Sequence, residues 1–274
     1  MVMPSVAGKV HIDYRIPGTV VKTYSREDTK RFKCWGSGVE NEKIVECLLP
    51  GLGPRVVNLW QDEHAEYARL TLLNGSSLRI GDISDELLEE AGMVLGRIHS
   101  CRNATWGPLA GKLHFADARQ AFVSRFRAAL RLLASVDPAL ADTVTAWSAP
   151  RLATSIWSGG PVLVHGDFGA ANLISTRNGI RVIDWEHARW GHPQEDWEKI
   201  RFAIRFPEPN GFGADMGRIQ LIERGWKAVI KEDPPKDSGL AALLEVYFAI
   251  CLGVFFQDRS DLRMRWLRRK VANV

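Results

Sequence analysis

In the run His165-Gly166-Asp167-Phe168-Gly169-Ala170-Ala171-Asn172 an Asp precedes an Asn by five positions, and Asp184 closes a short hydrophobic run (Ile180, Val182, Ile183) 12 residues beyond that Asn. Side chains of these types at these spacings suit phosphoryl transfer. The Asp-to-Asn spacing is that of a kinase catalytic loop, in which the Asp takes the proton of the acceptor hydroxyl and the Asn holds Mg²⁺. The γ-phosphate of a nucleoside triphosphate carries dense negative charge. Two oxygen-bearing side chains, Asn172 and Asp184, would set the cation against it, and a third, Asp167, would orient the attacking hydroxyl.

Blander roles for these side chains fit less well. A Gly-Asp pair is common in turns, and a His before it can simply pack. Metallophosphoesterases also draw on His, Asp and Asn, but through several clusters; the histidines here (11, 64, 99, 114, 165, 187 and 192) do not cluster. The whole H-G-D-x-x-x-x-N pattern, followed by a strand-borne Asp, favours a kinase. HGDFGAAN and the later VIDWEHARWGHPQEDW resemble the aminoglycoside phosphotransferase-like family of small-molecule kinases, which also takes in choline, homoserine and fructosamine kinases. Gly166 stands where protein kinases carry Arg, and Asp-Trp-Glu replaces Asp-Phe-Gly, which sets the chain apart from protein kinases.

The resemblance implies an α+β, bilobal, protein-kinase-like fold. A small N-terminal antiparallel sheet lobe (1–73) would bind nucleotide, and a larger, mainly helical lobe (74–274) would carry the catalytic and acceptor-binding groups. It implies ATP or GTP as donor, Mg²⁺ as cofactor and a small hydroxylated molecule as acceptor. Asp196 matches a family carboxylate that supports the catalytic loop from beneath, while His165 and Gly166 shape that loop.

Bulk properties agree with such an enzyme. The 274 residues suffice for one large domain or two lobes, and 46% hydrophobic with 25% charged residues is ordinary globular composition. A net charge of +4 with dispersed basic residues argues against a nucleic-acid partner. Cys34, Cys47, Cys101 and Cys251 lack CxxC spacing and read as reduced thiols. Neither a membrane-length apolar run nor a signal-peptide pattern is visible, so a soluble cytoplasmic protein, monomeric or homodimeric, is expected.

Along the chain, Val10–Ile16 and Thr19–Tyr24 are β-rich runs joined by Pro17-Gly18. Lys22, flanked by Val20 and Val21, is similar to the strand lysine of kinases that grips the α/β-phosphates; in a half-buried strand it could equally be a solvated Lys. A helical pattern over 39–49 follows, and the family's partner for that lysine falls on Glu42, with Glu46 as the alternative. Val56–Leu59 and Glu66–Leu73 read as strands; backbone groups of Thr71, Leu72 and Leu73 resemble the hinge that holds the purine. Only nine residues precede Val10 and no G-x-G-x-x-G exists, so Ser5–Lys9, with Gly8, is what remains to cover the phosphates. Ser84 caps a long amphipathic helix through Ile98, on which His99 reads as a packing residue. Asn103–Lys112, rich in Gly and Pro, reads as a surface linker. Helical patterns occupy 116–135, 138–157, 194–206, 215–231 and 240–256, and the last segment carries a basic face (Arg263, Arg265, Arg268, Arg269, Lys270).

Acceptor identity lies outside these motifs. Between Lys199 and Val274, 14 Lys and Arg stand against 9 Asp and Glu. A pocket for a polycationic aminoglycoside should be rich in carboxylates, and one for choline in aromatics and acids, so the excess argues against both. Trp185, Trp190, Trp197, Phe206, Phe212, Trp226 and Phe256 are candidates for stacking walls, although core packing suits most of them. The expected activity is O-phosphorylation of a sugar-bearing or nucleoside-type antibiotic; a primary-metabolism kinase of a small alcohol or sugar is the alternative. A pseudokinase is disfavoured because Lys22, Asp167, Asn172 and Asp184 are all present.

Overall fold

A computed structural model describes residues 8–12, 16–25, 38–78, 83–111, 113–155, 157–206, 216–255 and 260–272. The first hairpin follows from its turn: Pro17 pre-sets its own φ, and Gly18 takes the φ of +76° that a side chain would resist. β1 (Gly8–Ile12) and β2 (Thr19–Ser25) therefore run antiparallel, Val10 opposite Lys22. The first strand starts two residues before the expected Val10, because Gly8 and Lys9 join it; 13–15 fall outside the described residues. α1 (Gly38–Leu48) turns Val39, Asn41, Glu42 and Val45 inward. β3 (Val56–Gln61) and β4 (Ala65–Thr71) complete an antiparallel sheet of order β1-β2-β4-β3. Tyr24, Val39, Ala68 and Leu70 form its small core.

The chain leaves this sheet at Thr71 and enters a helix-rich remainder. β5 (Gly75–Ser77), α2 (Asp85–Ser100), β6 (Gly107–Pro108), α3 (Ala118–Ala134) and α4 (Pro138–Thr154) come first. β7 (Val162–Val164), β8 (Leu173–Thr176), β9 (Gly179–Val182) and β10 (Arg189–Gly191) follow. α5 (Gln194–Arg205), α6 (Ile219–Ile230), α7 (Ser238–Phe255) and α8 (Ser260–Val271) close the order. Two small antiparallel sheets, β5-β8-β9 and β6-β10-β7, sit among the helices.

Helix starts follow their caps. Ser84 Oγ accepts the Leu87 N–H at 3.3 Å, Asp117 that of Gln120 at 2.9 Å and Asp137 that of Leu140 at 3.0 Å, each satisfying one orphan donor of a first turn. The apolar stripe of α2 (Leu88, Ala91, Val94, Leu95, Ile98) packs into one core with Phe168, Leu173, Val182 and Trp185. The residues of both motif loops thus share a single rigid foundation. A second core joins α3, α4, α7 and α8.

The middle of the expected surface linker 103–112 is not on the surface, although Asn103, Ala104 and Gly111 are exposed. Trp106, Gly107 and Pro108 are buried, and Gly107–Pro108 is a strand paired with β10. Gly and Pro there serve a tight edge strand, while Trp106 stacks 6.4 Å from His192 and draws the segment inward. Among the described residues no helix is long and apolar enough to cross a membrane.

Candidate active site

Alternation along β2 directs Lys22 inward, and it is only 4% exposed. Its Nζ lies 3.4 Å from Glu42 Oε1 and 3.6 Å from Glu186 Oε2, and directly contacts Asp184 Oδ1. Tyr24 donates its hydroxyl to Glu42 Oε1 at 3.0 Å and sets its ring 4.7 Å beneath the ammonium. Burial alone would lower the pKa of Lys22; Asp184, with Tyr24, Glu186 and Glu42, reverses this and holds it well above the ordinary lysine range. Glu46, the alternative partner, pairs with Lys43 at 3.3 Å on the exposed side of α1.

β7 delivers the catalytic loop. Gly166 takes φ +82°, and a Cβ there would lie 2.3 Å from Arg189 Nη1, so both conformation and space demand glycine. His165 Nδ1 accepts the Asp167 N–H at 3.2 Å, which leaves Nε2 to donate to Ile183 O at 3.0 Å. Ile183 N–H in turn donates to Asn172 O at 2.9 Å. These bonds stitch the Asp167–Asn172 loop to the residue before Asp184, and the His165 ring packs 4.7 Å from that of Trp185. Asp184 itself adopts the left-handed conformation (φ 69°), uncommon for a residue with a side chain and tolerated best by Asn and Asp.

Asn172 Nδ2 donates to Asp167 O at 2.9 Å and to Asp167 Oδ2 at 3.1 Å, and Lys199 Nζ lies 3.0 Å from Asp167 Oδ1. Below the loop, fully buried Asp196 accepts the N–H of His165 at 2.9 Å and that of Gly166 at 2.7 Å. His99 Nε2 joins it at 3.1 Å, and Trp226 Nε1 donates to His99 Nδ1 at 3.0 Å, fixing the imidazole tautomer. His99 is a satisfied core histidine, as expected.

Three residues of this site carry no signal strong enough to single them out in the sequence. Asn41, next to Glu42, donates Nδ2 to the carbonyls of Glu186 (3.1 Å) and Ala188 (3.0 Å), tying α1 to the turn after β9. Glu186 is nearly enclosed; burial, then the nearby Asp184 charge, pushes its carboxyl up to about 8. Lys199 lies on the face of α5 that carries Asp196, and that i,i+3 spacing is the one hint the sequence offers.

The other expected contacts fall as follows. Thr71 N–H donates to Arg55 O at 2.9 Å and Leu72 N–H to Gly18 O at 2.7 Å, so these two amides are engaged within the fold. Gly8 lies in β1 opposite Tyr24, and 1–7 are outside the described residues. Trp185, Trp190, Trp197, Phe206 and Trp226 are buried in cores rather than lining a wall; Phe212 and Phe256 are outside the described residues.

Among the described residues no cluster of three or more His, Cys, Asp or Glu is arranged to hold a metal. A Mg²⁺ needs no such cage, since one or two protein oxygens suffice beside phosphate oxygens and water. The residues present fit that pattern. Asn172 turns its amide nitrogen to Asp167, so its Oδ1 would be the atom to meet a cation, Asp184 would add a carboxylate, and buried Glu186 Oε2 has no hydrogen-bond partner.

Residues 44–229 match the model of the APH family, described as a phosphotransferase enzyme family. Protein StrN of Streptomyces griseus is 30% identical over 99 residues, a stretch covering 36% of this chain and 26% of that protein. The match therefore spans about a quarter of the curated relative. A candidate fructosamine-3-kinase of Haemophilus somnus superposes with a TM-score of 0.70 at 14% identity, covering 99% of this chain and 89% of the other. The amicoumacin kinase hAmiN, solved with AMP-PNP, Ca²⁺ and Ami, gives 0.65 at 11% identity, covering 100% and 88%. At these identities the likeness to solved structures speaks for a shared α+β fold.

Proposed function

Because the chain belongs to the APH phosphotransferase family, we propose that it moves the γ-phosphate of ATP or GTP, with Mg²⁺, to a hydroxyl of a small molecule. Asp167 accepts the hydroxyl proton as the new O–P bond forms and the bond to the nucleoside diphosphate breaks. Asn172 and Asp184, with Glu186 beside them, would hold the cation, which would supply positive charge against the phosphates. Lys22 exchanges Asp184 for the α/β-phosphates and is kept in place by Glu42. Backbone groups of Thr71–Leu73 hold the purine, and Gly8 closes over the phosphates. On this reading the lobes are 1–73 and 74–274, and the protein works in the cytoplasm as a monomer or homodimer.

The observation that carries the proposal is the stitch through His165 and Ile183, which brings Asp167, Asn172 and Asp184 to one place beside Lys22. We further propose an antibiotic acceptor, sugar-bearing or nucleoside-type, of little positive charge. Lys199, 3.0 Å from Asp167, supports this, because an acceptor ammonium near the reacting hydroxyl would meet a fixed like charge. A small neutral alcohol or sugar of primary metabolism satisfies the same electrostatics and is the second reading.

One assay separates them. Purified protein, γ-labelled ATP or GTP and Mg²⁺ are offered uncharged glycosylated antibiotics, nucleoside antibiotics, aminoglycosides, sugars and choline. Transfer to the first two classes is expected. Preferred transfer to aminoglycosides or choline overturns the charge argument, and folded protein that binds no Mg²⁺-nucleotide overturns the enzyme.

A further inference from the structure

Resting on the kinase reading above, we propose that Lys199 is a positioning residue for phosphoryl transfer, holding the Asp167 carboxylate in the one orientation that meets the acceptor hydroxyl. Its place on α5 makes this geometrically direct. Asp196 and Lys199 are three residues apart on one helical face. Asp196 takes two backbone N–H groups of the catalytic loop, and Lys199 takes the side chain of the same loop. Main chain and carboxylate are thereby referred to a single rigid helix.

Asp167 is gripped at both oxygens, Oδ1 by Lys199 at 3.0 Å and Oδ2 by Asn172 at 3.1 Å. An ionised carboxylate offers about four lone-pair directions, so both grips still leave room for a hydroxyl while fixing the plane of the group. Rotational freedom removed before the reaction is barrier removed from it.

Stability gives no comparable reason for a lysine here. Lys199 is 8% exposed, with its Nζ 5.7 Å over the Phe248 ring. An ammonium is costly to bury, and an apolar side chain of similar length would pack against Phe248 at no such cost. A buried cation directed at the one carboxylate assigned to proton transfer belongs to the chemistry of the site.

The test uses the full chain and Mg²⁺-ATP, with water as acceptor and inorganic phosphate as readout. Lys199→Met should lower kcat about 10²-fold. KM for Mg²⁺-ATP should move less than about threefold, with the variant still folded at the assay temperature. Lys199→Ala should regain activity with added n-propylammonium and not with n-propanol, which fills the same space without charge. Wild-type kcat in Lys199→Met, a loss confined to KM, or equal rescue by the alcohol overturns the assignment. Should wild-type protein neither bind nor hydrolyse Mg²⁺-ATP, the kinase reading itself falls, and this inference with it.

Discussion

The ammonium of Lys22 rests on the carboxylate of Asp184, a contact that joins β2 to the turn after β9 across the two sheet systems. Without nucleotide this lysine is the countercharge for Asp184 and Glu42, with the raised-pKa carboxyl of Glu186 3.6 Å away. Lys22→Met would leave Asp184 and Glu42 facing each other without a countercharge. Removing one partner of a buried pair typically costs about 3–5 kcal/mol. Urea denaturation of the nucleotide-free variant should show a loss of that order, and an unchanged midpoint would mean that Lys22 does not hold this cluster together.

The two aspartates of the site should fail differently. Asp167→Asn removes the proton acceptor and keeps the shape, so turnover should fall about 10²–10⁴-fold with Mg²⁺-nucleotide affinity retained. Asp184→Asn removes a metal carboxylate and should weaken Mg²⁺-nucleotide binding as well. Calorimetry of both variants beside their rates checks the pattern; equal affinity losses would merge the two roles.

Acid should attack a different carboxylate. Burial alone would raise the pKa of Glu195, but Arg125, 2.7 Å from its Oε2, and then Arg189 bring it down to about 2. A carboxyl whose folded pKa lies below its unfolded value stabilises the fold above the unfolded value, about 4.5, and loses that contribution as pH falls through the folded one. The difference is on the order of 3 kcal/mol. Glu195→Gln should therefore be less stable than wild type at pH 7, with the gap closing between about pH 4.5 and pH 2. A gap independent of pH would show that charge is not its source.

How much of this is legible in the sequence depends on distance along the chain. Asp167 and Asn172 are five residues apart in one loop, and the Ser84-capped stripe of α2 repeats every turn, so both can be read directly. Lys22 and Glu42 need the resemblance, because a strand Lys and a helical Glu are usually solvated. The contacts of Asn41, Glu186 and Lys199 are not legible, although Glu186 falls in Asp-Trp-Glu and Lys199 is three residues from Asp196. Each looks like a solvated polar side chain until tertiary packing brings it against a partner on another segment. Segment 103–112 misleads for the converse reason: its Gly and Pro advertise a turn, whereas Trp106 decides where it goes.

Packing between α2 and α6 can be probed apart from the charges. A Cβ on Gly225 would sit 1.8 Å from Glu89 O, and one on Gly92 2.0 Å from Ile222 O. These atoms are helix backbone, so relief requires the helices to separate. Either Gly→Ala change should destabilise by about 1–3 kcal/mol, against the gain alanine normally brings to an exposed helix. A thermal midpoint at or above wild type would show that the helices can part without cost.

Asp196 gives the sharpest isosteric test. Oδ1 accepts the Gly166 N–H, while Oδ2 accepts both the His165 N–H and His99 Nε2, whose proton is fixed by the Trp226 bond to Nδ1. Every neighbour is a donor. Asp196→Asn preserves volume, yet either placement of its NH₂ sets donor against donor, leaving at least one buried N–H unpaired at about 1–3 kcal/mol. The disturbance falls on the backbone carrying Asp167, so kcat should drop along with stability while KM for nucleotide, set at the far side of the site, holds. Wild-type kcat in a stably folded Asp196→Asn protein would mean that the loop keeps its catalytic shape without this carboxylate.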